Sequence, residues 1–209
     1  MRLGGCNLTC RWCDTPYTWD WTGSSDTGIA YDPRQELHRR SVASVAEQVG
    51  ALGVGLVVIS GGEPLGQQAR LAPLVDLLTG RGMEVEIETN GTHVPHPALV
   101  AAGARFNVSP KLAHSGVLAA RRIRPAALRA LAGTPGTAFK FVCRDTADLE
   151  EVGALVARYG LDPVWIMPEG QSAERLEEHL HQLAAPVIAR GWNLTTRLHT
   201  LIWGQERGV

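Results

Sequence analysis

Three of the four cysteines in this 209-residue chain, Cys6, Cys10 and Cys13, fall within eight residues, spaced C-x3-C-x2-C. A loop this short can wrap several thiolates around one compact centre, which suits a metal ion or an iron–sulfur cluster. Three thiolates leave a four-iron cluster one protein ligand short, so one iron stays open to a small molecule. Zinc is the second reading, but structural zinc takes four protein ligands, and no fourth Cys or His lies nearby. A disulfide between two of the three is the third, and it would leave an odd thiol. The spacing ranks the readings in that order. Cys143, far from the triplet, reads as an inert core thiol.

Other groups capable of chemistry recur along the chain. In Ser60-Gly61-Gly62-Glu63-Pro64 the paired glycines let a backbone approach a ligand with no Cβ in the way. Their N–H and C=O groups suit an amino acid's amino and carboxylate groups, and Glu63 could pair with a cation. A plain strand-to-helix turn would use the same residues. Glu88-Thr89-Asn90-Gly91-Thr92 sets a carboxylate beside an Asn-Gly turn, and a turn alone is the simpler account. Ser109-Pro110-Lys111 offers a point charge for a carboxylate, or a solvated tip on an open surface. Lys140 sits in an apolar run, where an unpartnered lysine is rarely buried, so it snorkels or faces a lumen. Met167-Pro168-Glu169-Gly170 and Arg197-Leu198-His199 follow later runs. His199 could hold a substrate carboxylate or a ring edge, although a lone His near a terminus is more often structural. The remaining histidines show no ligand spacing; His179 and His181, two apart on a helix, do not share a face. Tyr17, Trp19 and Trp21 either cover the cysteine loop or form an aromatic cluster of their own.

The elements that must position these residues alternate strand and helix. Residues 16–40 show no period and read as a long loop. Residues 41–49 carry helical spacing, with Ser41 or Ser44 as N-cap. Leu56–Ile59 reads as a buried parallel strand. A helix near 69–80 follows, then a strand at 84–88, a short helix at 97–102 and a strand at 105–108. Residues 112–124 fit neither period. A helix at 125–132, a strand at 138–142 and a helix at 148–159 come next, the last capped by Asp145 or Thr146 and stopped by Gly160. A strand at 164–167, a helix at 173–190 and a last strand at 194–198 complete the series. Such alternation without repeats means parallel βα units in one α/β domain. Counting a partial strand at Arg2–Gly5, there are about six to seven parallel strands. A closed eight-fold barrel needs about 250 residues, so an open, partial (β/α) barrel is expected, with its site at the C-terminal strand ends.

Lys plus Arg total 20 against 21 Asp plus Glu, a net charge of −1, which gives no electrostatic reason for a nucleic-acid or membrane-surface partner. No apolar run approaches the roughly 20 residues of a membrane span. The N-terminus does not read as a signal peptide, and clustered cysteines do not form a secreted disulfide framework. A cytoplasmic location is expected.

The cysteine triplet with Trp12 before its third member resembles the cluster loop of radical S-adenosylmethionine enzymes, which pair it with a Gly-Gly-Glu-Pro element. Arg2 through Leu8 with Cys13-Asp14-Thr15-Pro16-Tyr17-Thr18-Trp19-Asp20 resembles, more specifically, the 7-carboxy-7-deazaguanine synthase family. The resemblance implies a [4Fe–4S] cluster on Cys6, Cys10 and Cys13, with S-adenosylmethionine against Trp12, Cys13, Asp14, Gly62, Glu63, Ser109, Pro110, Lys111, Met167, Pro168, Glu169 and Gly170. It implies substrate contacts at Ser60, Glu88 and His199, and Mg²⁺ on Thr15, whose simpler role would be a helix cap. The implied reaction contracts 6-carboxy-5,6,7,8-tetrahydropterin to 7-carboxy-7-deazaguanine with release of ammonia, in queuosine and 7-deazapurine synthesis. A pterin substrate, an electron donor such as flavodoxin or ferredoxin, and a homodimer go with it. Longer members of that family begin with an additional segment carrying a Gln-Gly-Glu-Gly substrate loop. The expected domain, residues 1–209 with its cluster loop at 4–20, therefore lacks its N-terminal strand and that loop; a start site upstream of Met1 is the favoured explanation, with truncation or loss of part of the pocket as the alternatives. Three rival readings remain: a glycyl-radical-type activating enzyme, which would not be expected to carry the Cys-Asp-Thr-x-Tyr string, a zinc-binding interaction module, and a non-catalytic relative that still binds a cluster.

Overall fold

The apolar runs become strands of a seven-stranded parallel sheet in a computed structural model that describes residues 1–204, 206 and 207. The strands are β1 (Arg2–Leu3), β2 (Leu56–Gly61), β3 (Glu84–Thr89), β4 (Arg105–Val108), β5 (Thr137–Cys143), β6 (Val164–Pro168) and β7 (Asn193–Leu194). Each pairs in parallel with the strand before it, so sheet order is chain order. No pairing among the described residues joins β7 to β1, and the barrel stays open.

The helices are α1 (Pro33–Glu36), α2 (Val42–Gly50), α3 (Gln68–Gly80), α4 (Pro97–Ala101), α5 (Ala119–Arg122), α6 (Pro125–Ala132), α7 (Thr146–Tyr159), α8 (Ala173–Ala189) and α9 (Leu198–Trp203). Local chemistry sets several of their ends. Ser41 Oγ accepts from the Ser44 amide at 3.1 Å and opens α2. Asp145 does the same for α7 through the Asp148 amide. Gly160, at φ +65°, closes α7 in the left-handed conformation that glycine adopts without cost.

Strand period two decides which residues reach the site. Val57, Ile59, Val85, Ile87, Phe106, Val108, Phe139, Phe141, Val164 and Ile166 all join the buried core. There they meet Leu71, Leu74 and Leu78 of α3, Leu128 and Leu131 of α6, and Leu149 and Val152 of α7. Their neighbours in sequence, Ser60, Glu88, Asn107, Lys140 and Met167, line a cavity instead. No helix among the described residues is long and apolar enough to cross a membrane.

Two stretches differ from the sequence expectation. The last strand stops at Leu194, and Leu198–Trp203 is helical. After the Thr195 amide donates to the Ile166 carbonyl at 2.9 Å, Arg197 turns inward to Asp14 and the Gly170 carbonyl, which draws the chain off the sheet edge. Within the long loop at 16–40, Pro16–Thr18 forms a 3-10 turn and Pro33–Glu36 forms α1. Residues 112–124 hold a 3-10 turn at Ala113–Ser115 and the short helix α5.

Candidate radical and metal site

The C-terminal ends of the strands surround a cavity of about 350 Å³. Cys6, Cys10 and Cys13 all line it, and all are free thiols. Cys10 is buried and packs against Leu8 and Val117, with Cys6 and Cys13 beside them. Burial pushes the Cys6 thiol up to about 11, against the Leu8 amide's opposing pull; the neighbouring Glu63 carboxylate and the other two cysteines add to the rise. Burial also raises Cys10, while the Lys111 charge pulls it back. Ligation must therefore displace protons from this loop. Donors to sulfur are in place: the Leu8 amide lies 3.5 Å from Cys6 Sγ, and Trp19 Nε1 lies 3.3 Å from Cys13 Sγ.

The donor set fits an iron–sulfur cluster. Among the described residues no group of three or more His, Cys, Asp or Glu side chains is arranged to hold a single metal ion. Three soft thiol donors on one cavity wall, with N–H groups already directed at two of the sulfurs, suit the corners of a four-iron cube. Trp12 adds a second feature. Its Nε1 is buried without a protein partner, its ring stacks on His114 at 5.2 Å between centroids, and Lys111 Nζ sits 5.6 Å from the ring centroid.

Gly61 and Gly62 are required by the protein's own backbone. A Cβ on Gly61, whose φ is +139°, would lie 2.1 Å from the Leu3 carbonyl oxygen, and one on Gly62 would lie 2.0 Å from that of Gly5. The approach expected for a ligand is made by β1 and the start of the cluster loop. The amides of Gly62 and Glu63 donate to those same carbonyls, at 2.9 and 2.7 Å. Glu63 is 2% exposed and does not line the cavity. Its Oε1 accepts from the Leu65 amide (2.9 Å) and Thr89 Oγ1 (2.7 Å), and its Oε2 from the Asn90 amide (2.7 Å). Burial raises its pKa even against these donors. Glu63 thus ties the end of β2 to the end of β3. Asn90 in turn donates to Asn7 Oδ1 at 2.9 Å, in the cluster loop.

Inside the barrel Glu88 is a junction. Its Oε2 accepts from Ser60 Oγ at 2.7 Å and its Oε1 from Lys140 Nζ at 3.1 Å. Burial works to raise its pKa, but the Lys140 charge and the bonds from Ser60 and Lys140 outweigh it and hold the carboxylate below its ordinary value. Lys140 therefore faces the lumen and does not snorkel outward. One layer deeper, Glu86 accepts from Arg105 Nη2 (2.8 Å) and Asn107 Nδ2 (2.9 Å).

Thr15 and Asp14 stand at the mouth. Thr15 is the residue before the 3-10 turn at Pro16–Thr18, yet its side chain makes no capping bond there. Its hydroxyl lies 3.7 Å from Cys13 Sγ, which leaves that oxygen available to a hard cation. Asp14 pairs with Arg197. Burial and the Arg197 charge lower His199, with Asp14 opposing, so its imidazole is neutral at pH 7. A second cavity, also about 350 Å³, shares Arg2, Cys13, Asp14, Thr15, Arg197 and His199 with the first.

Of the residues singled out in the sequence, the cavity gathers the three cysteines, Trp12, Asp14, Thr15, Ser60, Gly62, Glu88, Ser109, Lys111, Met167, Glu169 and His199. Glu63, Pro110, Pro168 and Gly170 lie behind its wall. Asn90, Asn107 and Arg197 also line it. For Asn107 the signal was available in the alternation of Arg105-Phe106-Asn107-Val108.

The sequence profile of the Radical SAM superfamily matches residues 2–183, which defines the class: a radical S-adenosylmethionine enzyme, with the four-iron cluster and S-adenosylmethionine that class entails. The chain is 36% identical over 211 residues to a 7-carboxy-7-deazaguanine synthase of Pyrobaculum aerophilum, covering 100% of this chain and 86% of the relative. A synthase of the same name from Halobacterium salinarum is 33% identical over 227 residues, with 97% and 81% covered. The crystal structure of QueE from Escherichia coli matches with a TM-score of 0.68 at 26% identity, over 94% of this chain and 83% of that one. Streptococcus suis SuiB, at 12% identity and a TM-score of 0.62, shares the fold alone. The chain belongs to the 7-carboxy-7-deazaguanine synthase family of radical S-adenosylmethionine lyases.

Proposed function

We propose that this chain converts 6-carboxy-5,6,7,8-tetrahydropterin to 7-carboxy-7-deazaguanine with loss of ammonia, using S-adenosylmethionine and Mg²⁺, in the route to queuosine and related 7-deazapurines. The observation that carries this reading is the convergence of three free thiols and residues of six strands on one cavity in a chain 36% identical to a synthase of that name. When bound, the reduced [4Fe–4S] cluster and S-adenosylmethionine supply the one-electron chemistry that removes a hydrogen atom from the substrate.

The protein's part is to bind, orient and exclude water. Cys6, Cys10 and Cys13 hold the cluster, and Trp19 donates its N–H to the Cys13 sulfur. Trp12, Cys13, Asp14, Gly62, Ser109, Lys111, Met167 and Glu169 form the wall for S-adenosylmethionine. Glu63, Pro110, Pro168 and Gly170 support that wall from behind. Ser60, Glu88 and neutral His199 face the pterin. The ionised Glu88, fixed by Lys140 and Ser60, is suited to accept hydrogen bonds from ring N–H groups. The Thr15 hydroxyl would be the protein ligand for Mg²⁺, a hard cation suited to oxygen donors. A flavodoxin or ferredoxin supplies the electron, and the working unit is a homodimer.

The test is direct. Anaerobic protein with reductant, S-adenosylmethionine, Mg²⁺ and the pterin is expected to form a product with the mass and ultraviolet spectrum of a carboxylated 7-deazaguanine. Absence of that product, with reductive cleavage appearing only alongside a partner protein that gains a glycyl radical, would overturn the reading in favour of an activating enzyme.

A further inference from the structure

Residues 111–122 carry Lys111 and lie against the back of the cysteine loop, and an ion pair between buried Arg122 and partly exposed Glu151 ties them to α7. Arg122 is 6% exposed, on the four-residue helix α5. Its Nη1 donates to Glu151 Oε1 and to the Lys111 carbonyl, both at 2.7 Å, and its Nε to the Val117 carbonyl at 3.2 Å. The other oxygen of Glu151, on α7, accepts from the Ala113 amide at 2.8 Å. A single Arg–Glu pair thus grips this segment at 111, 113 and 117. Neither residue belongs to the apolar core, and a partly buried ion pair is by itself weak evidence of a stabilising role. What an apolar pair could not do is bind two backbone carbonyls and one amide at once. The planar fork of Arg reaches both carbonyls and Glu151 Oε1 while the other Glu151 oxygen takes the amide; the single ammonium of Lys does not span them.

The gripped segment meets the cysteine loop at four points. The Ser115 carbonyl accepts from the Arg11 amide at 3.0 Å. The Val117 side chain packs on Leu8 and Cys10. His114 stacks on Trp12. Arg121 Nη2 donates to the Asn7 carbonyl at 2.7 Å. We infer that Arg122, with Glu151, is a positioning residue for the cluster: it anchors residues 111–121, which touch the cysteine loop, to α7 and so holds the three thiolates and Lys111 in one arrangement. This rests on the assignment of Cys6, Cys10 and Cys13 as cluster ligands.

The experiment uses the full chain, reconstituted anaerobically, as wild type and as Arg122→Gln, Arg122→Lys, Arg121→Ala and Arg190→Gln. Far-ultraviolet circular dichroism checks folding. The readouts are the rate at which an iron chelator bleaches the cluster and the change that S-adenosylmethionine makes in the electron paramagnetic resonance spectrum of the reduced cluster. Outer-shell partners of a metal site typically matter 10–100-fold, so Arg122→Gln is expected to lose iron about tenfold faster, with a broadened, altered spectrum. Arg122→Lys, which keeps the charge but not the fork, is expected to recover little. Arg121→Ala is expected to lose iron faster too, while Arg190→Gln, which breaks only an exposed pair with Glu150, matches wild type. Wild-type rates and spectra in both Arg122→Gln and Arg121→Ala overturn the anchor. If Arg122→Gln does not fold, Arg121→Ala decides alone, and a wild-type rate there overturns it. A wild-type chain that takes up no cluster sinks the ligand assignment, and the anchor with it.

Discussion

Lys140 on β5 and Glu88 on β3 meet across the intervening strand β4, with Nζ 3.1 Å from Oε1. The pair explains why a lysine stands in an apolar strand: its charge keeps a half-buried carboxylate ionised at the centre of the barrel. Replacing Lys140 by Met removes that charge and leaves burial to raise the Glu88 carboxyl. Loss of a charge-assisted hydrogen bond of about 1.5 kcal/mol lowers kcat/KM by roughly tenfold. The sign of the pH effect follows. Glu88 is needed ionised, so the acid limb of the kcat/KM profile moves towards neutral pH in Lys140→Met. The stability that ionised Glu88 contributes is present above its ordinary pKa and lost as pH falls through its depressed value. Acid unfolding therefore begins at higher pH in the variant. A pH–rate profile with an unmoved acid limb would contradict this role.

Glu63 is expected to act through structure. Glu63→Gln turns an amide towards the donors now satisfied by a carboxylate oxygen, which costs about 1–3 kcal/mol for a buried unsatisfied group. Denaturant unfolding of the apo protein should reveal that loss before any cofactor is added. An unchanged unfolding midpoint, with weakened S-adenosylmethionine binding, would instead make Glu63 a direct contact.

The Trp19 N–H donates to the sulfur of Cys13, proposed as a cluster ligand, and such bonds raise the reduction potential of an iron–sulfur cluster. Trp19→Phe keeps the ring but removes the donor. The cluster should still assemble, with its midpoint potential moved down and turnover slowed in proportion to the harder reduction. Potentiometric titration of both proteins checks it; identical midpoints would show that the N–H serves only packing.

Thr15→Ala should keep the brown cluster and lose most of the Mg²⁺ response, with turnover reduced by about tenfold, a difference near 1.4 kcal/mol. Titrating activity with Mg²⁺ separates the cases. Loss of the chromophore in this variant would mean that the hydroxyl supports the loop and not the cation.

Much of this arrangement was legible in the residues. The parallel strands β2 to β6 announced themselves through apolar runs such as Leu56-Val57-Val58-Ile59 and through the charge alternation of Glu84–Glu88, because period two is a local property of the backbone. The cluster loop was legible because its chemistry is local as well. The segment 112–124 was not, since its 3-10 turn and short helix owe their shape to Arg122 and Glu151, which are 29 residues apart in sequence. The bonds that bury Glu63 were illegible for the same reason: its partners, Thr89 and Asn90, lie at the end of another strand. The strand expected at 194–198 failed because Arg197 is claimed by Asp14, far away in the cluster loop.

The central claim is that three cysteines hold a four-iron cluster with one iron left for S-adenosylmethionine. Iron and sulfide analysis of anaerobically reconstituted protein, coupled to electron paramagnetic resonance of the reduced form with and without S-adenosylmethionine, measures both halves at once. About four irons and four sulfides per chain are expected, with a spectrum that changes on addition of S-adenosylmethionine and a signal that disappears in Cys13→Ala. A full complement of iron with a spectrum indifferent to S-adenosylmethionine, or zinc in place of iron, would contradict the account.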